Sequence, residues 1–182
     1  MPDGQIAIDD PHAADVRALL ERHLGFARSH KPPEHVHALD MDGLLDPAVT
    51  FYSFRRSGDL LAVGTLKQLD RHHAEVKSMH TAQAERGRRF GRAMLDHLIG
   101  VARSRGCLRV SLETGTLAAF VPARSLYAGA GFVPCGPFAG YSPSSDNTFM
   151  TLSLDRPGPG KAGVTEEAGV TEEAGVTDAR RC

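Results

Sequence analysis

The sequence predicts an α/β (α+β) domain built on one mixed central sheet, with an antiparallel meander in it and helices flanking it. Three observations lead there. Between Val49 and Thr81 the apolar period is two, in three runs separated by short polar turns. A long amphipathic segment, about Arg88 to Arg105, then lies between two strands, which requires a crossover and a parallel pair. The chain has 182 residues, 41% hydrophobic and 24% charged, the balance of a soluble domain able to bury a core.

Taken in order, Gln5 to Ile8 is a short apolar run and reads as an edge strand. Asp10 followed by Pro11 forms a helix start, and Val16, Leu19, Leu20, His23, Leu24 and Ala27 give that helix one apolar stripe to about residue 28. Lys31-Pro32-Pro33 breaks it, and a shorter helix is expected from about Glu34 to Leu39. Val49 to Phe54, Leu60 to Lys67 and Ala74 to Thr81 are the meander, with turns at Arg55 to Asp59 and Leu69 to His73. Phe90, Met94, Leu95, Leu98, Ile99, Val101 and Ala102 form the buried face of the long helix, which Gly106 ends.

Leu108, Val110 and Leu112 alternate with Arg109, Ser111 and Glu113 as the next strand, and a loop is expected from Thr114 to Leu117. Pro122 opens a helix to about Gly129. Phe132 to Cys135 and Thr148 to Leu154 are two last strands, joined by a long loop containing Tyr141. The domain is expected to span residues 1–154. Beyond it, Pro157-Gly158-Pro159-Gly160 is followed by near-identical repeats at Ala162 to Glu167 and Ala168 to Glu173, with a degenerate copy from Ala174 to Asp178. Units of that polarity bury no core, so 155–182 is expected to be a disordered tail.

Composition removes several classes of function. The formal net charge of −1 gives no general attraction to nucleic acid or to an acidic membrane. The basic residues cluster instead at Arg86, Arg88, Arg89 and Arg92, without the interleaved aromatics of a nucleic-acid binder. Cys107, Cys135 and Cys182 have neither metal-ligand spacing nor an even count. His35 with His37, and His72 with His73, lack the spacing of a closed zinc site, so no metal is expected and surface or helix-packing histidines are the reading. The first residues have no basic and apolar leader, no apolar run matches a bilayer, and a cytoplasmic location is the expectation.

The most informative stretch is Arg86-Gly87-Arg88-Arg89-Phe90-Gly91-Arg92-Ala93, where a strand turns through a basic, glycine-punctuated corner into the long helix. Such a corner aims unpaired amides, a helix dipole and guanidinium groups at one point, which is an anion site. It is not a P-loop, because Gly-Lys-Ser/Thr is absent, and it lacks two glycines of a dinucleotide fingerprint.

Arg86 to Leu95 resembles motif A of the GNAT (GCN5-related) N-acetyltransferases, Arg/Gln-x-x-Gly-x-Gly/Ala. Arg86 fills the first place and Gly91 the last, while Arg89 stands at the middle glycine. Glu75 to Thr81 resembles the family's central strand, and Leu126-Tyr127-Ala128-Gly129-Ala130-Gly131-Phe132 matches its Leu-Tyr-x-x-x-Gly-Phe element. The resemblance covers about Gln5 to Leu154. It implies the GNAT fold with splayed central strands and acetyl-coenzyme A as co-substrate. The pyrophosphate is then expected on the amides of Arg86, Gly87, Arg88, Arg89, Phe90, Gly91, Arg92 and Ala93. Pantetheine is expected along Met79, His80 and Thr81. Tyr127 is implied as the acid that protonates the departing thiol.

Acetyl transfer to an amine also needs a base, since such amines are mostly protonated at neutral pH. Glu75, Glu113 and His80 are the candidates. Strand alternation puts Glu75 on one face with Lys77, Met79 and Thr81, and His80 on the other. Specificity is expected from Lys31 to Asp46, where Asp40, Asp42 and Asp46 favour a cationic amine, and from the loop Pro137 to Asn147, where Tyr141 walls the pocket. The expected activity is transfer of an acetyl group from acetyl-coenzyme A to a small-molecule or peptide amine by direct attack in a ternary complex. The alternative is a catalytically inactive acyl-coenzyme A sensor. Neither nucleic acid nor a membrane is expected as partner, and a homodimer stays open.

Overall fold

The computed structural model describes residues 3–30 and 41–154. Its seven-stranded sheet has the order β1-β2-β3-β4-β5-β7-β6, with β1 Gln5–Ile8, β2 Val49–Arg56, β3 Asp59–Asp70, β4 His73–Thr81, β5 Arg109–Gly115, β6 Val133–Cys135 and β7 Asn147–Ser153. All neighbours run antiparallel except β4 and β5, the pair joined through the long helix. The mixed sheet with its meander is therefore as the pattern predicts. The short helix expected at Glu34 to Leu39 and the repeat tail lie outside the described residues.

Among the described residues four α-helices accompany the sheet: α1 Ala14–His30, the single-turn α2 Met41–Leu44, α3 Phe90–Ser104 and α4 Val121–Gly129. The two sheet faces bury separate cores. On one, Met94, Leu95, Leu98 and Ala102 of α3 pack on Tyr52, Leu66, Val76, Val110 and Leu112, joined by Tyr127 of α4. On the other, Val16, Leu19 and Leu20 of α1 meet Leu44, Phe51 and Val63. Phe51 and Tyr52 go to opposite cores, as the strand period requires. Met94, Leu95 and Leu98 have no exposed surface, so truncating one of them to alanine costs ~2–5 kcal/mol.

Three boundaries differ from the sequence reading, each for a reason of pairing. β3 continues to Asp70 and β4 begins at His73 because those two residues pair, leaving Arg71 and His72 as the turn. β5 continues through Thr114 and Gly115, which pair with Thr148 and Asn147 of β7. Helix α3 starts at Phe90 because Arg89 has the left-handed values φ 69°, ψ 7°. Its other end matches expectation: Gly106 has φ 78° and the Cys107 amide donates to the Ala102 carbonyl at 3.0 Å, a left-handed helix stop.

Candidate active site

Parallel pairing of β4 with β5 covers only His73–Arg109, Ala74–Val110 and Glu75–Ser111. Both strands then run on, β4 to Thr81 and β5 to Gly115, but β5 keeps its bonds to β7 alone. The splay opens a cleft of about 290 Å³. Its sides come from α1, from α4 and from a single helical turn, Ala118–Phe120. Of the residues singled out from the sequence, Glu75, Met79, His80, Arg86, Glu113 and Tyr127 line this cavity. Thr81 and the stretch Gly87 to Ala93 stand outside it, in the corner beyond its Arg86 end.

That corner is exposed from Arg86 to Arg89. Gly87 has φ 77° and Arg89 φ 69°, so two left-handed residues bend the chain into α3. Arg89 occupies a conformation that glycine takes freely and an L side chain takes at a cost of ~1–2 kcal/mol. No side chain caps the helix. Its first hydrogen bond is from the Ala93 amide to the Arg89 carbonyl, at 3.0 Å, and the amides of Phe90, Gly91 and Arg92 precede it. Two arginines are already tied down. Arg88 Nη1 lies 2.8 Å from Glu85, and Arg92 pairs with Asp96 and donates to the Gly129 carbonyl at 2.9 Å. Such a corner presents chiefly backbone N–H and dipole, and among the described residues the Arg86 and Arg89 side chains are not so engaged.

The floor of the cleft corrects the alternation argument. Between Val63–His80 and Thr65–Lys77 the register advances two residues on β3 and three on β4, a β-bulge. Within it Ser78 is buried and has φ 50°. One inserted residue exchanges the faces of everything after it. Val76 and Met79 therefore both turn to the α3 core, and Thr81 approaches Gly91 of α3. His80 instead turns to α1, its ring 5.1 Å from that of His23. Glu75, Lys77 and His80 thus share the α1 side, and Met79 and Thr81 leave it.

Glu75 and Lys77 form a buried ion pair at 3.1 Å. The Tyr141 hydroxyl, reaching in from the β6–β7 loop, donates to Glu75 Oε1 at 2.6 Å and accepts from Lys77 Nζ. Burial, together with the charges of Glu75 and Glu113, raises the Tyr141 pKa, so the hydroxyl stays protonated. Tyr127 is buried among core residues and reaches the cleft. Its pKa is pushed up to about 12, first by burial and then by the Glu113 charge, so it is a neutral donor at physiological pH. His23 and His80 are both lowered to about 4, chiefly by burial, and are uncharged at neutral pH.

The sequence reading used Lys77 only to mark a face and took His23 as helix stripe; both line the cleft. Phe26 and Phe120 were not singled out. Their rings meet edge-on at 5.3 Å across the cleft wall. Gly115 makes room for this, since a Cβ there would come within 2.3 Å of the Phe120 ring. His73, read as a turn residue, is buried and hydrogen-bonds Ser111 Oγ at 2.8 Å. Asp42 and Asp46 do not line the cleft, and Asp46 pairs with Lys67 at 3.2 Å; Asp40, His35 and His37 lie outside the described residues. Among the described residues no three His, Cys, Asp or Glu side chains are grouped to hold a metal, and no helix is long and apolar enough to cross a membrane.

Comparison with known proteins agrees with this geometry. The Acetyltransferase (GNAT) family matches residues 13–132. An uncharacterised N-acetyltransferase of Bacillus subtilis, YsnE, is 41% identical over 82% of this chain and 99% of its own length. The IAA acetyltransferase of Azospirillum brasilense is 33% identical over 85% of this chain and all of its own. Among solved structures, a Klebsiella pneumoniae protein assigned as an acyl-CoA N-acyltransferase superposes with TM-score 0.71 at 25% identity, covering 84% of this chain and 98% of that one. A Bacillus subtilis acetyltransferase in complex with CoA shares the fold at TM-score 0.63 and 18% identity, covering 84% and 99%. A cleft opened by splayed parallel strands, with a basic corner at one end and a buried tyrosine in its wall, thus sits in a chain that belongs to the GNAT family, as an acetyl-coenzyme A-dependent acyltransferase.

Proposed function

We propose that this protein transfers the acetyl group of acetyl-coenzyme A directly to a primary amine held with it in one ternary complex. The observation that carries the reading is the splay of β4 from β5. It leaves strand edges open beside the anion corner and leads from that corner to Tyr127 and Glu113. The residues present fit the co-substrate: the amides that precede the first hydrogen bond of α3 suit a pyrophosphate, and the edge of β4 over Met79 to Thr81 that turns from β5 suits the amides of pantetheine. Acetyl-coenzyme A supplies the acetyl group as a thioester.

Glu113 acts as the base. It lines the cleft, and its charge is felt by Tyr127 and Tyr141. Glu75 is held by Lys77 and Tyr141 and serves as floor, while His80 and His23 are neutral walls. Glu113 takes a proton from the ammonium, and backbone N–H groups of β4 over Met79 to Thr81 polarise the carbonyl as the N–C bond forms and the C–S bond breaks. Tyr127 gives its proton to the departing sulfur. Of the two protons the ammonium loses, one ends on the thiol and one in solvent.

The test is thiol release from acetyl-coenzyme A by the full chain across a panel of amines. Release with at least one amine, matched by N-acetylated product, is expected. Binding without release on any amine would indicate an acyl-coenzyme A sensor, and no binding would remove both readings.

A further inference from the structure

The acceptor side of the cleft has a lopsided chemistry. Its wall is apolar and aromatic, with Phe26 and Ala27 from α1 and Ala119 and Phe120 from the turn after β5. Its floor holds the Glu75–Lys77 ion pair, in which the Lys77 side chain is only 8% exposed. Lys77 has three N–H donors, and among the described residues two have partners, Glu75 Oε1 and the Tyr141 hydroxyl. The remaining donor belongs to a group that lines the cleft. The neighbouring histidines add no charge at neutral pH, and Glu113 is a second carboxylate in the lining.

The geometry points to an aromatic α-amino acid, or a closely similar amino carboxylate with a large apolar side chain, as the acceptor class. This rests on the acetyltransferase reading above. The amine sits at Glu113, the carboxylate takes the third N–H of Lys77, and the side chain lies against Phe26 and Phe120. A polycation is a poorer match, because it brings no acceptor for the third N–H of Lys77. A small hydrophilic amine is a poorer match as well, because it would leave the aromatic wall facing water. An anion at Lys77 would instead make a charge-assisted bond to a side chain that is largely buried.

Three acceptors separate these contributions in the thiol-release assay with acetyl-coenzyme A: L-phenylalanine, L-phenylalaninamide and L-alanine. The amide lacks the anion yet has the larger free-amine fraction at neutral pH, so a preference for the acid is not a basicity effect. L-Phenylalanine is expected to exceed each of the others in kcat/KM by about tenfold or more. Lys77→Met should collapse the acid-to-amide ratio through KM for the acid. Phe26→Ala should collapse the phenylalanine-to-alanine ratio and leave the other in place. Acetylation of the amide or of alanine at least as fast as phenylalanine by the wild-type chain would overturn the inference while leaving the acetyltransferase reading intact. Acetyl-coenzyme A binding with no release on any amine would overturn both.

Discussion

The two sides of the β4–β5 cleft are built from the chain in different ways. On the side of α3, the groups proposed to hold the pyrophosphate come from one unbroken run, Arg86 to Ala93, and are largely backbone. On the side of α1 the cleft is formed by side chains gathered from β4, β5, α1 and the β6–β7 loop: Glu75, Lys77, Glu113, His23 and Tyr141. A site made of amides tolerates a change of side chain, as Arg89 at a left-handed position illustrates. A site made of side chains does not: removing Glu75, Lys77 or Tyr141 leaves a buried partner unsatisfied.

That difference predicts a gradient of effects. The largest belongs to Tyr127: Tyr127→Phe should lower kcat about 10²-fold or more while the Kd for acetyl-coenzyme A stays put. An unchanged kcat would mean the hydroxyl is only packed there. Glu113→Gln should cost about 10²-fold in kcat/KM and remove the acid limb of its pH profile; a retained limb would move the base elsewhere. Tyr141→Phe takes a donor from buried Glu75 and an acceptor from Lys77. A loss of about 1–3 kcal/mol in denaturant unfolding is expected, with a raised acceptor KM.

The histidine pair gives a pH signature on the same side. His23 and His80 titrate at about 4 in the folded chain against 6.5 as the ordinary value. Between those values the unfolded chain binds more protons, so the pair's contribution is full above about pH 6.5 and is lost as pH falls toward 4. Unfolding at pH 7 and at lower pH should show that slope, and His80→Gln should flatten it. The smallest effect belongs to the corner. Arg89→Gly should be more stable than Arg89→Ala by about 1 kcal/mol, since only the alanine keeps the left-handed strain. Equal stability would mean the corner relaxes without cost.

The same contrast decides what was legible in the sequence. The corner and the tyrosine element are local patterns, so Arg86, Gly91 and Tyr127 stood out before any contact was known. The α1 side depends on the bulge. A serine with φ 50° leaves no mark, since glycine or asparagine is the usual signal for that conformation. Strict alternation therefore put His80 on the wrong face and Met79 on the wrong side of the sheet. Tyr141 was visible as a loop aromatic, but its bond to Glu75 spans 66 residues of chain and follows only from the sheet order. Helix and strand periods survived because burial enforces them. Turns such as Leu69 to His73 were misjudged where pairing continued through polar residues.

The central claim is that both sides of the cleft are occupied at once when the acetyl group moves. Initial rates measured with acetyl-coenzyme A and an amine acceptor varied together test it most directly. Double-reciprocal lines that intersect, with no thiol burst in the absence of amine, are the predicted result. Parallel lines with a burst of thiol, the mark of an acetylated enzyme, would contradict it.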